Sequence, residues 1–217
     1  MTIVYDGEVA HHDSAGNGGV TGPGDLQWMT AVGILHAEYH SPAFTQTGGP
    51  FRMIQLWVNL PSKDKSTSRR CQLIAWTDIP LVHLPDDAGR IRVIAGDFGG
   101  TRGPAKTFTP INLWDVRCEA GACLKLTIPH GHNSTVVVLT GPPKIGPSRP
   151  ASGRNGAALK GRRPRQHLCA RRGNVSRADR RADRRADRRI WTVCHEYRIG
   201  DQSSDSGFQA GARRPQV

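Results

Sequence analysis

"GPGDLQWMTAVGILHAEYHSP", residues Gly22 to Pro42, begins with a tight Gly-Pro-Gly-Asp turn that leads into a strand, and after Val32 and Gly33 comes "ILHAEYH". In an extended strand successive side chains alternate faces, so His36, Glu38 and His40 project to one side while Leu35, Ala37 and Tyr39 take the other. If the first side faces the inside of a barrel, this imidazole and carboxylate can hold one metal ion from adjacent positions. Mixed nitrogen and oxygen ligation suits Fe(II), Mn(II) or Ni(II), and open positions on such an ion admit substrate or O₂. Spacing alone leaves another reading open, that of ordinary polar side chains on a strand.

The flanking sequence has the same texture. Residues 1–140 are short β-type runs such as "TIVYDGE", "IQLWVNLP", "IRVIAGDFGG", "INLWDV", "LKLTIP" and "STVVVLTG", cut by turn signals such as "DSAGNGG". Short strands at close intervals, with helical periodicity nearly absent, predict an all-β barrel or sandwich. "IQLWVNLP" is expected to be a core strand with Trp57 in a structural role, and "PSKDKSTSRR" a solvated linker. Trp28 and Met29 are expected to pack in the core, with lining of a pocket as the other reading. The longest apolar run, "VVVL" at 136–139, is too short to span a bilayer, so no membrane segment is expected.

The chain has 217 residues, enough for a real apolar core, and a net charge of +12. That charge is not spread evenly. Residues 1–147 hold 12 Lys/Arg and 12 Asp/Glu, whereas residues 148–217 hold the other 18 basic and 6 acidic side chains. The excess belongs to the tail and does not make the whole chain a nucleic-acid binder. Five cysteines, none in CxxC spacing, and no secretory leader in "MTIVYDGEVAHHD" point to reduced thiols in a cytoplasmic protein.

The order "DGEVAHHDSAGNGGVTGPGDLQWMTAVGILHAE", "GGPFRMIQLWVNLPSKDK", "TPINLWDV" and "IPHGHNSTVVVLTG" resembles the pirins, a family of two-barrel cupins, from Thr2 to about Gly141. The resemblance implies an all-β, cupin-type (jelly-roll) double barrel, here incomplete, with a disordered basic C-terminal tail. Its expected parts are a partial N-terminal barrel (1–60), a linker with inter-barrel strands (61–105), a partial C-terminal barrel (106–147) and an Arg-rich tail (148–217). It also implies a non-haem Fe(II) site held by three His and one Glu, two of which fall on His36 and Glu38. The other two lie in an HxH motif on a strand before "TIVYDGEV", which this sequence lacks, so weak or absent iron is expected. His11 and His12 are expected to be surface polarity, His40 to lie one strand step beyond the site, and His130 and His132 to be structural or loop residues.

From Gly141 onward the alternating pattern is lost, and "RADRRADRRADRR" repeats with period 4 and no apolar stripe. Ala-Asp-Arg-Arg can be written GCC GAT CGG CGA. Dropping the first base, with G following, gives Pro-Ile-Gly-Glu. The same shift lets "RQHLCARRG" become "ANIFVLAGE" and "IWTVCHEYRIG" begin a "YGPFVMNT"-type ending, both of which resemble the pirin C-terminus. Residues from a point between Gly141 and Gln166 onward are therefore expected to be an out-of-frame translation, and the arginines to carry no selected affinity for specific nucleic acid. Three functional readings follow from the resemblance. One is a quercetin 2,3-dioxygenase-type enzyme acting on a flavonol-like small molecule, with Glu38 as catalytic base and metal ligand. The second is an iron-dependent regulatory module contacting a protein partner. The third is a truncated product without function.

Overall fold

Gly, Pro and Asx residues cut the chain into short strands, and their side chains close the turns. Asp13 Oδ1 accepts from the backbone N–H of Ala15 at 2.8 Å and of Asn17 at 2.9 Å, which folds "DSAGN" into a hairpin turn. Asp25 Oδ2 does the same for Gly22 N–H at 3.1 Å. The computed structural model describes residues 1–30, 33–119, 122–129, 132–140, 144–145, 165–169 and 188–196.

The first group of elements comprises β1 (Thr2–Asp6), β2 (Val9–Asp13), β3 (Gly18–Thr21), β4 (Leu26–Thr30), β5 (His36–His40), the short helix α1 (Pro42–Thr47), β6 (Arg52–Gln55) and β7 (Arg70–Ile74). Next come β8 (Leu81–His83), β9 (Gly89–Ala95), β10 (Asp97–Phe98), β11 (Thr101–Arg102), β12 (Ile111–Cys118), β13 (Cys123–Thr127), β14 (His132–Val138) and β15 (Lys144–Ile145). Two further strands, β16 (Arg165–Cys169) and β17 (Arg188–Glu196), follow. Helix α1 starts as its sequence dictates: Ser41 Oγ accepts from Phe44 N–H at 3.0 Å, and Pro42 occupies the first turn.

The strands form the all-β, cupin-type arrangement of stacked sheets. In the N-terminal pair a sheet ordered β6-β1-β4-β7 faces one ordered β3-β2-β5. In the C-terminal pair β14-β17-β12-β9-β8 faces β13-β16-β15, and β10-β11 is a separate hairpin. All named pairings within these sheets are antiparallel, so each strand's even and odd residues go to opposite faces. On β1 and β4, Ile3, Tyr5, Leu26 and Trp28 point away from the N-terminal interior and pack against Ile94, Ile111 and Leu113 of the other pair. On the opposite face of β9 and β12, Ile91, Val93, Trp114 and Val116 pack with Leu124, Leu126 and Val136.

Two segments of the basic tail are among the described residues, and both are strands. β16 pairs with β13 over five residues, from Cys123 opposite Cys169 to Thr127 opposite Arg165. β17 lies between β12 and β14, with Leu113 opposite Val193 and Thr135 also opposite Val193. The physical reason is the open backbone of β12, β13 and β14, whose N–H and C=O groups need partners, met by β-type runs such as "IWTVC". The Ala-Asp-Arg-Arg repeats before Arg188 lie outside the described residues.

Candidate metal centre

Strand β5 brings His36 and Glu38 to the N-terminal interior by parity, and β2 sets their neighbours. His36 is opposite Asp13, Glu38 opposite His11 and His40 opposite Val9. Directly opposed residues share a face of the sheet. Across the interior the register pairs Thr2 with Gln55 on one side and Gln27 on the other, so these three form one inward row.

Thr2 Oγ1 donates to Glu38 Oε1 at 3.3 Å, and Gln55 Nε2 donates to Glu38 Oε2 at 3.0 Å. Both carboxylate oxygens are thus tied to the facing sheet, which fixes the orientation of the group. Glu38 and the exposed His36 line one cavity of about 260 Å³, whose wall includes Met29, Ile34 and Trp57. Trp57 is 83% exposed and is not the core residue that its run suggested. Its position follows from β6 ending at Gln55: the chain leaves the sheet after Leu56, and the indole stands at the cavity mouth with Nε1 3.4 Å from Gln55 Oε1. Trp28 packs in the core, 5% exposed, as expected.

His11 departs from expectation most. It is 3% exposed, and neither ring nitrogen has a hydrogen-bond partner. The parity of β2 turns it inward with Val9 and Asp13, and Gly19 opposite leaves room, since a Cβ there would lie 3.3 Å from His11 Cε1. Gln27 is also buried; the Cys71 thiol is its neighbour, but neither amide atom has a partner in full hydrogen-bond geometry. His12 is exposed, as expected. The side-chain hydrogen bond from Asn17 holds the Asp13 carboxyl below the usual range.

His40 is drawn into an aromatic cluster, its ring 5.3 Å from that of Phe44 and 4.7 Å from that of Phe51, both edge-on. His132 begins β14 and buries Nδ1 without a partner, while His130 lies outside the described residues. Sequence reasoning missed Thr2, Gln27, Gln55 and the inward His11. Their signal was a polar residue at an inward position of an otherwise apolar strand, legible only once the inward parity of β1, β2, β4 and β6 is known.

Among the described residues no group of three or more His, Cys, Asp or Glu is arranged to hold a metal ion. His36 and Glu38 alone do not fit a tightly held ion, because two donors leave both its charge and its geometry undefined. No helix among the described residues is long and apolar enough to cross a membrane.

The Pirin family profile matches residues 1–58. A Pseudomonas aeruginosa protein provisionally named a quercetin 2,3-dioxygenase is 57% identical over 147 residues, which cover 67% of this chain and 51% of the relative. Human pirin is 37% identical over 146 residues, covering 67% of this chain and 48% of its own. Among solved structures, a quercetin 2,3-dioxygenase from Acinetobacter baumannii superposes with a TM-score of 0.77 at 38% identity, over 90% of this chain and 63% of that one. The chain spans about half the length of the curated relatives it matches. With the HxE pair on the inner face of a cupin-type sheet pair and these relatives beside it, the chain belongs to the pirin family.

Proposed function

We propose that the chain carries part of a pirin-type, metal-dependent dioxygenase site for a flavonol-like substrate. In this reading His36 and Glu38 supply two protein donors to the metal, Fe(II) by family resemblance, and the remaining donors are not among the described residues. When bound, the ion supplies the chemistry toward O₂. The chain's own contribution is orientation and proton acceptance.

The observation that carries the reading is Glu38, held at both oxygens by Thr2 and Gln55 beside a cavity walled by Met29, Ile34 and Trp57. A carboxylate anchored in this way meets a substrate hydroxyl at a fixed place, which is the requirement for a general base. The indole of Trp57 offers a flat apolar surface to an aromatic ring at the cavity mouth. The relatives named for quercetin dioxygenation support the substrate class. The cysteine pattern, with free thiols at Cys71 and Cys118, supports a cytoplasmic setting.

The test is to express the chain, supply Fe(II), and follow loss of the visible absorption of quercetin in air, with bound iron measured by elemental analysis. Glu38→Gln is expected to slow turnover by about 100-fold, the scale of a lost general base. A rate unchanged in Glu38→Gln would refute the assignment.

A further inference from the structure

We propose that a second cavity, sharing the Trp57 wall of the Glu38 cavity, takes the substrate ring farther from Glu38, with Phe108 as its aromatic wall and Lys65 selecting rings that carry a phenolic oxygen. This rests on the reading of Glu38 as the group that meets the substrate hydroxyl, and adds which substrates the site prefers. The second cavity measures about 380 Å³, and Met29, Trp57 and Val58 line it and the Glu38 cavity alike. A ligand anchored at Glu38 and longer than one ring therefore has a second hollow within reach along a common wall.

The hollow is suited to a flat apolar body. Buried Trp28 and Ile111 line it from the core, and the accessible rings of Trp57 and Phe108 line it nearer to solvent. The loop that carries Phe108 is held in place. Gln72 of β7 clamps its start, with Nε2 donating to Lys106 C=O at 3.0 Å and Oε1 accepting from Lys106 N–H at 2.9 Å. Thr107 Oγ1 then donates to Thr109 C=O at 2.8 Å, so the backbone is tied on both sides of Phe108. A ring 38% exposed on a loop fixed in this way loses little freedom when another ring packs on it.

Lys65 supplies the polar contact. The run "PSKDKSTSRR" reads as a solvated linker, and Lys63 is indeed exposed, but Lys65 is half-buried and lines the cavity. A 3₁₀ turn at Ser62–Asp64 carries it there, closed by Asp64 N–H donating to Pro61 C=O at 2.9 Å and followed by Thr67 N–H donating to Asp64 C=O at 3.1 Å. No carboxylate lines this cavity, and Lys65 makes no ion pair among the described residues. An ammonium beside an apolar hollow, with no counter-charge, favours a ligand that brings an oxygen acceptor over one that brings a bare ring.

The experiment is equilibrium dialysis of the full chain, without added metal, against flavonol and against 4′-hydroxyflavonol, which differ only by a hydroxyl on the far ring. The hydroxylated compound is expected to bind about tenfold more tightly, the scale of a hydrogen bond to a charged group. Lys65→Met keeps the apolar stem and removes the charge, so it should abolish that preference and leave flavonol binding unchanged. Phe108→Ala should weaken both ligands several-fold, and circular dichroism checks that each variant folds. Equal affinity of the chain for the two flavonols, an undiminished preference in Lys65→Met, or unweakened binding in Phe108→Ala would overturn the proposal. No turnover is read, so the two readings fail separately. The preference together with an unchanged rate in Glu38→Gln removes the base and keeps the cavity; equal affinities together with a slowed Glu38→Gln keep the base and remove the cavity.

Discussion

Between β1–β4 and β2–β5 the N-terminal sheet pair encloses Thr2, His11, Asp13, Gln27 and Glu38, whereas between β9–β12 and β13 the C-terminal pair encloses Ile91, Val93, Trp114, Val116, Leu124 and Leu126. The N-terminal interior also holds Val4 and Val9, so it is mixed where the C-terminal one is apolar. An apolar interior gains stability from burial and close packing. A polar one gains only when its groups are paired, and the ring nitrogens of His11 are not. The contrast places the more uniformly apolar burial in the C-terminal pair.

The largest expected effect tests the stabilising side. Trp114 is 2% exposed and packs edge-on against Phe98, with ring centroids 5.2 Å apart. Trp114→Ala should lower unfolding stability by about 3–5 kcal/mol, the usual cost of truncating a buried aromatic, as read by urea denaturation. A loss below 1 kcal/mol would mean that this interior is not what holds the chain together.

A smaller effect appears at alkaline pH, again from the apolar interior. Burial pushes the Cys118 thiol up to about 11, and the charge of Glu119 adds to it. Because the folded value is raised, the protonated thiol stabilises the fold fully below the ordinary thiol value near 9. That contribution is lost as pH rises through the interval up to 11. Stability should therefore fall by about 1–2 kcal/mol across this window, and Cys118→Ser should flatten the slope. Parallel slopes in the two proteins would show that Cys118 ionises as freely folded as unfolded.

The fold was largely legible because alternation and turn chemistry are local. "DSAGN" and "GPGD" announce their turns through Asp13 and Asp25, and the HxE strand falls on β5 as its parity requires. What failed depended on partners distant in sequence. "IQLWVNLP" reads as one strand, yet only Ile54 and Gln55 of it lie in β6, Leu56 pairs with Met1, and Trp57 ends outside. "HHDS" reads as a polar turn flank, and whether His11 or His12 points inward is set by which face of β2 meets β1–β4. The two strands of the tail depend on partners distant in the chain: Cys169 of β16 is opposite Cys123, and Arg188 of β17 is opposite Cys118. For Glu38 the motif gave the residue but not its holders, since Thr2 and Gln55 come from 36 and 17 residues away.

The smallest effect has the opposite sign from the first and isolates the cost of the polar interior. An imidazole buried without a partner forfeits its hydrogen bonds to water on folding, a penalty of about 1–3 kcal/mol. Leucine has nearly the volume of histidine, and His11 is buried opposite Gly19, beside which Leu73 Cδ1 also lies, so an apolar side chain fits the site. His11→Leu should therefore raise stability by about 1 kcal/mol in metal-free solution, measured by the same urea denaturation. The comparison between the interiors is what gives this sign its meaning: an apolar substitution that stabilises the polar pair marks a position kept for something other than folding. A loss of stability in His11→Leu would instead reveal an ordered partner for the imidazole, and the polar interior would then be as well satisfied as the apolar one.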